Sequence, residues 1–154
     1  MKQKFKDLER DQTKRRLDWL FTNQDFLSNP RKGWIQAVRR VLGLSTTQLA
    51  RKLGLSQPRI TVLEKAEREG TTTLKALKEV AEAMNCRFEY SFIPQKPVDQ
   101  YLKERAYEVA RSKVGYLSHH MELEGQGIPK KERKAQIEEI VEELLKNPKK
   151  LWKG

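Results

Sequence analysis

Residues 33–64 read GWIQAVRRVLGLSTTQLARKLGLSQPRITVLE, and the unit Leu-Gly-Leu-Ser occurs in this run twice, at 42–45 and 53–56. No other feature of the chain constrains its fold as much. A glycine that follows an apolar-periodic run takes the left-handed conformation that closes a helix. A serine two residues later accepts a hydrogen bond from the orphan N–H groups of the next helix. Gly43 and Gly54 are therefore read as helix ends, Ser45 and Ser56 as caps, and Leu44 and Leu55 as core residues. The pattern predicts three short helices separated by two tight turns, the third opening at Gln57. Beyond it, Gly70 ends LEKAEREG, and Thr71, Thr72 and Thr73 offer caps for a fourth helix over about Leu74 to Met84. Leu74, Leu77, Val80, Ala81 and Met84 fall at three- and four-residue steps and define its buried face.

Two helices joined in this way form a helix-turn-helix, a scaffold that lays its second helix in the major groove of DNA. On a wheel of about 100° per residue, Ile60 and Leu63 point to one side of the third helix and belong to the core. Pro58, Thr61 and Val62 lie opposite, with Gln57 and Arg59 on the flanks, and these five are expected to meet base edges. Gln57 suits adenine and Arg59 suits guanine or a phosphate, while Pro58, Val62 and the methyl of Thr61 suit thymine methyls. Phosphate contacts are expected from Thr46, Thr47, Gln48, Arg39, Arg51 and Lys52, and from the amides of Thr71, Thr72 and Thr73. Composition agrees with this reading. The net charge is +11, which makes nucleic acid the leading partner class. The excess is spread along the chain, +4 in 1–32, +4 in 33–94 and +3 in 95–154, so the basicity is not that of a single tail.

Outside this core the signals are sparser. Residues 4–21 are charged and favour a helix that ends in the apolar cluster Leu17, Trp19, Leu20 and Phe21. Asn29-Pro30 and Gly33 mark a break. From Cys86 to Ile93 the period changes to two, with Phe88, Tyr90 and Phe92 on one face, which predicts a strand ended by Pro94. A lone strand needs a partner for its edges. The expected partner is the same strand of a second copy, giving the two-fold dimer that a palindromic operator requires. Helical spacing returns after Pro97 (Val98, Tyr101, Leu102, Val109, Tyr116) and after Pro129 (Ile137, Ile140, Val141, Leu144, Leu145), with the loop ELEGQGIP between. The tail KNPKKLWKG reads as frayed, with Trp152 available to a partner. The expected fold is mainly α: a phage-repressor-like domain of four core helices, one β-strand and C-terminal helices. The expected division is an N-terminal helical arm at 1–32, the DNA-binding domain with its strand at 33–94 and a helical extension at 95–154.

Several function classes are disfavoured. Cys86 is the only cysteine, so no disulfide forms within the chain and a reducing cytoplasm is the expected location. It is read as a small buried hydrophobe. No apolar run is long enough to span a bilayer, and no secretory leader opens the sequence. His119 and His120 diverge by about 100° on a helix and would chelate one metal poorly. Glu138, Glu139, Glu142 and Glu143 read as the solvated face of the last helix. No catalytic residue, metal site or cofactor is expected, and the chain is not read as an enzyme.

Residues 33–84 resemble the phage-repressor-like helix-turn-helix family of the Xre and Cro/CI type. The motifs that carry this are GLSxxQLA with Leu49 and Ala50, LGLSQ, then Ile60, Leu63 and Glu64, and TLKALKEVAEAM. Two positions depart from the family pattern: Thr46, where glutamine is frequent, and Ala66, where a glycine commonly closes the third helix. Here that helix is expected to run on towards Gly70. A narrower resemblance joins RKGWIQAVRRVLGLS, LEKAEREGTTTLKALKEVAEAMNCRFEYSFIP and HHMELEGQ to the family called mobile mystery protein A, found in mobile-element contexts. That resemblance implies a regulator encoded beside a Fic-domain protein, and an antitoxin-like role. Inhibitory helices of Fic enzymes read Ser/Thr-x-x-x-Glu-Gly/Asn; Ser118 and Glu122 match the first five positions, and Leu123 departs at the sixth. Joined to the helix-turn-helix and strand readings, the resemblance implies a dimeric repressor of double-stranded DNA that regulates its own operon with a Fic-type toxin partner. Two alternatives stand beside it: a protein-binding antitoxin that mainly silences the Fic partner, and a phage-type repressor without any toxin.

Overall fold

The computed structural model describes residues 1–125 and 127–153. Seven α-helices are present among them: α1 (Lys2–Thr22), α2 (Trp34–Val41), α3 (Thr46–Leu53), α4 (Gln57–Glu69), α5 (Leu74–Ala83), α6 (Val98–Leu123) and α7 (Lys130–Lys146). Single 3-10 turns lie at Gln24–Leu27 and Pro148–Trp152. The chain divides into two compact units, one of residues 24–92 and one of residues 1–23 with 93–154.

The unit of residues 24–92 follows the sequence punctuation closely. Ile35 of α2, Leu49 and Ala50 of α3, Ile60 of α4, Val80 of α5 and the adjoining Met84 form its core, with Leu44, Leu53, Leu63 and Leu77 packed around them. Leu49 and Ile60 are wholly buried, each contributing about 1.5–3 kcal/mol relative to exposure. Gly43 and Gly54 take positive φ at the helix ends, as the repeat predicts, and Gly70 does so at the end of α4. Ser45 caps α3 through a full capping box: its hydroxyl accepts from Gln48 N at 3.1 Å, and its own N–H donates to Gln48 Oε1 at 2.7 Å. Thr73 caps α5, accepting from Ala76 N at 3.1 Å. Two details of the symmetric reading are corrected. Ser56 makes no side-chain cap bond to α4, and Leu55 is 40% exposed instead of buried. With Pro58 in its first turn, α4 has one orphan N–H fewer to satisfy.

The expected strand at Cys86–Ile93 is also corrected: the structure has no β-strand among the described residues. Strand geometry needs a hydrogen-bonded neighbour, and the segment has no ladder partner among the described residues. The alternation still organises the rings. Phe88 stacks on Tyr90 at 6.4 Å, and Tyr90 meets Phe92 edge-on at 6.4 Å. Asn85, at φ 58°, turns the chain out of α5.

In the other unit, α6 and α7 pack as an antiparallel hairpin. Its core is Ala106, Ala110, Val141, Leu144 and Leu151. The buried positions of α6 are Ala106, Ala110, Val114 and Ser118, a stripe of small residues four apart. The tail is docked as far as Trp152: Leu151 is fully buried, and Trp152 lies 6.0 Å from Tyr101, with the Arg105 guanidinium 5.5 Å over its ring. No residue of α1 is buried. That helix is held by Lys14, 2.6 Å from Asp99, and by Asp18, whose carboxylate accepts from Val98 N at 3.0 Å and so caps α6.

Candidate nucleic-acid interface

The third core helix of the sequence reading, α4, has two chemically distinct faces. Ile60, Leu63, Glu64 and Glu67 follow the steps of an inward stripe, and Ile60 and Glu64 are buried. Gln57, Pro58, Arg59, Thr61 and Val62 are all exposed, so the five expected base readers share the solvent side of one helix. Val62 is 52% exposed, an apolar group placed in water for no packing reason. Gln57 Nε2 donates to Thr46 Oγ1 at 3.1 Å, joining the opening turns of α3 and α4. The bond orients the Gln57 amide and leaves its oxygen and second N–H to form the paired contact that adenine needs.

The inward face fixes α4 against α2. Arg39 Nε donates to Glu64 Oε1 at 2.7 Å, and Arg39 Nη1 donates to the Leu44 carbonyl at 2.9 Å. Both partners of this ion pair are buried. Gln36 Nε2 donates to the second Glu64 oxygen at 3.3 Å. One turn further on, Glu67 caps α2: its two carboxylate oxygens accept from Trp34 N at 2.7 Å and Ile35 N at 3.0 Å. A carboxylate there meets the positive end of the α2 dipole. Gly33, the residue before α2, has φ 80°, and a Cβ on it would lie 2.6 Å from Glu67 Oε2. The backbone conformation therefore favours glycine here, and a side chain would push the Glu67 carboxylate off its cap.

The expected phosphate set divides. Thr47, Gln48, Arg51, Lys52 and Thr71 are exposed. Gln48 Oε1 is committed to the capping box, which leaves the amide N–H groups to donate. Thr46 is half-buried and holds Gln57; Thr72 is half-buried; Thr73 is exposed with its hydroxyl oxygen on Ala76 N. Arg39 is a correction: its guanidinium is buried on Glu64 and Leu44, because a charge in the core needs a partner. Its neighbour Arg40 is the exposed one. The charge pattern is more local than the three-way division of the chain indicates. Residues 26–63 hold seven basic groups and no acidic one, and the acids that end the run, Glu64 and Glu67, both point inward. Sequence reasoning named Glu64 only as a motif residue, without a role, and missed Glu67. The available signal was their spacing, since they continue the apolar stripe of Ile60 and Leu63 at steps of four.

The remaining candidates lie apart from this face. Phe88 is half-buried, while Tyr90 and Phe92 are 66% and 81% exposed. Cys86 is exposed instead of buried. Ser118 is buried, and Arg133 Nη2 donates to its hydroxyl at 2.7 Å and to Glu122 Oε1 at 3.3 Å, so both residues serve the hairpin. His119 and His120 have ring centroids 6.4 Å apart, with Tyr116 edge-on to His120. Among the described residues no group of three His, Cys, Asp or Glu is placed to hold a metal. No described helix is long and apolar enough to cross a membrane.

Comparison with known families identifies residues 35–91 by a model described as "Helix-turn-helix". The match spans α2 to α5 and ends within the aromatic segment. No curated protein and no solved structure matched the chain. The family match carries no information on a Fic-domain partner or on a dimer.

Proposed function

We propose that this chain, with its helix-turn-helix domain of the Xre and Cro/CI type, is a sequence-specific transcriptional repressor of double-stranded DNA. The two-faced α4 carries the reading. Its solvent face presents Gln57, Arg59, Thr61 and Val62 together, within a stretch free of acidic residues, and its inner face is bolted to α2 through Glu64 and Glu67. Preorganisation of this kind lowers the ordering cost of docking. Gln57 and Arg59 would read bases, Pro58, Thr61 and Val62 would meet thymine methyls, and Thr47, Gln48, Arg51, Lys52 and Thr71–Thr73 would hold phosphates. Thr46 acts through Gln57. A dimer belongs to this proposal: the exposed rings of Tyr90 and Phe92 offer a second copy an apolar contact, and two-fold pairing matches a palindromic site.

Titration of the purified protein against its own upstream promoter DNA and a scrambled duplex, at two salt concentrations, tests the proposal. A specific complex at least ~10³ tighter than the scrambled one is expected. Equal, salt-steep binding to both would reduce the protein to a non-specific polycation. Gln57→Ala should cost ~1–3 kcal/mol on the specific site alone, and Lys52→Ala should weaken all sequences alike. The antitoxin role with a Fic-domain partner rests on sequence resemblance only. Ser118 and Glu122 are both engaged by Arg133 within the hairpin.

A further inference from the structure

A groove of about 270 Å³ lies on the α6–α7 hairpin, in the unit that does not contain α4. Arg111, Lys130, Arg133 and Lys134 line it, with Ile137 contributing apolar wall. Its one lining carboxylate, Glu138, accepts the Tyr107 hydroxyl at 2.6 Å, and the Arg111 guanidinium sits 5.7 Å from the Tyr107 ring. Arg133 is partly neutralised by Glu122. Its Nη2 is taken by Ser118 and Glu122, while its Nε has no hydrogen-bond partner among the described residues.

Four cations against one lining carboxylate, with Glu122 on Arg133, leave the groove a positive excess, and the opening turn of α7, which begins at Lys130, adds the positive end of its dipole. Such an arrangement favours an anion with several acceptor oxygens. Phosphate has that chemistry, since its oxygens pair with forked guanidinium groups and with lysine point charges at once. A volume near the lower limit for small-ligand clefts suits a compact anion better than a bulky one.

We infer that this groove is a binding site for a small phosphate-bearing anion. Pyrophosphate is the probe. In the full chain, its titration followed by backbone amide chemical shifts should move the signals of residues 130–134 saturably. Lys130→Glu and Lys134→Glu, both exposed positions, should each weaken binding by about tenfold or more. Lys103→Glu makes the same change in net charge on an exposed part of α6 outside the groove and should alter binding by less than about twofold. A parallel titration with a short DNA duplex separates the two sources of phosphate. Shifts at 130–134 with pyrophosphate and not with duplex support a small-molecule site. Shifts there with the duplex alone would overturn the inference in favour of DNA backbone. Shifts spread over all lysine-rich surfaces, or an equal loss in Lys103→Glu, would overturn it as well.

Discussion

The two units of the chain solve the same problem, holding helices in place, with different means. In residues 24–92 the helix ends are written locally: left-handed glycines, a capping box and a threonine cap sit at the turns themselves. In residues 1–23 and 93–154 they are not. Both α6 and α7 open after a proline, which has no side-chain acceptor, and α6 takes its cap from Asp18 of α1. The first unit uses that distant device only once, where Gly33 cannot cap α2 and Glu67 reaches across from α4. Local punctuation sets where each helix begins and ends, although these helices share one core, whereas carboxylates on other helices make the arrangement itself a condition for a helix end.

The sharpest way to break this comparison is through the buried ion pair. Glu64→Ala leaves the Arg39 charge buried without its partner and should cost about 3–5 kcal/mol in urea unfolding. The double change Arg39→Met with Glu64→Leu should restore most of that loss, and a single-mutant cost below ~1 kcal/mol would mean the pair is hydrated. Next comes the small-residue stripe of the hairpin. Ala110→Leu should overpack α6 against α7 and lose about 1–3 kcal/mol, while an unchanged melting curve would show slack between the helices. The distant caps follow. Glu67→Ala and Asp18→Ala should each cost about 0.5–2 kcal/mol, with Glu67→Ala the larger because it frees two N–H groups instead of one. Equal losses would erase that distinction.

The smallest effect is in pH dependence. The Lys150 ammonium bonded to Glu143 holds its carboxyl below the ordinary carboxylate range. The folded pKa is depressed, so this stabilisation is present above the unfolded value of about 4.3 and fades as pH falls through the folded value. The melting difference between the parent and Glu143→Gln should therefore be seen near neutral pH and vanish in acid. A difference that persisted at low pH would assign the pair a packing role.

Much of the 24–92 unit was legible in the sequence because its determinants are short-range. Two Gly-Leu-Ser turns, a periodic apolar face and a proline in the first turn of α4 each speak within one or two turns of chain. The solvent side of α4 was legible for the same reason, since a helical wheel sorts Gln57, Arg59, Thr61 and Val62 from Ile60 and Leu63. Arg39 was misjudged because burial of an arginine is decided by a glutamate 25 residues away. The strand was misjudged because alternation specifies a face, while hydrogen-bonding partners are supplied from outside the segment. In the hairpin, attention to Tyr101 and Tyr116 favoured large residues, yet both are exposed and the contact runs through Ala106 and Ala110. Alanine carries too weak a hydrophobic signal to mark a face until the facing helix is known.

The division of α4 also bears on how such a protein changes over time. Each residue that ties the helix to its scaffold, Ile60, Glu64 and Glu67, lies on a different side from those that would distinguish one DNA sequence from another. On the proposed reading, substitutions at 59, 61 and 62 would retarget the protein with little cost to folding, because these side chains are exposed, whereas Gln57 also ties α4 to Thr46 of α3. Changes on the other side abolish the platform before they alter its preference. Stability and specificity thus accumulate mutations on separate ledgers, although a single thirteen-residue helix bears both.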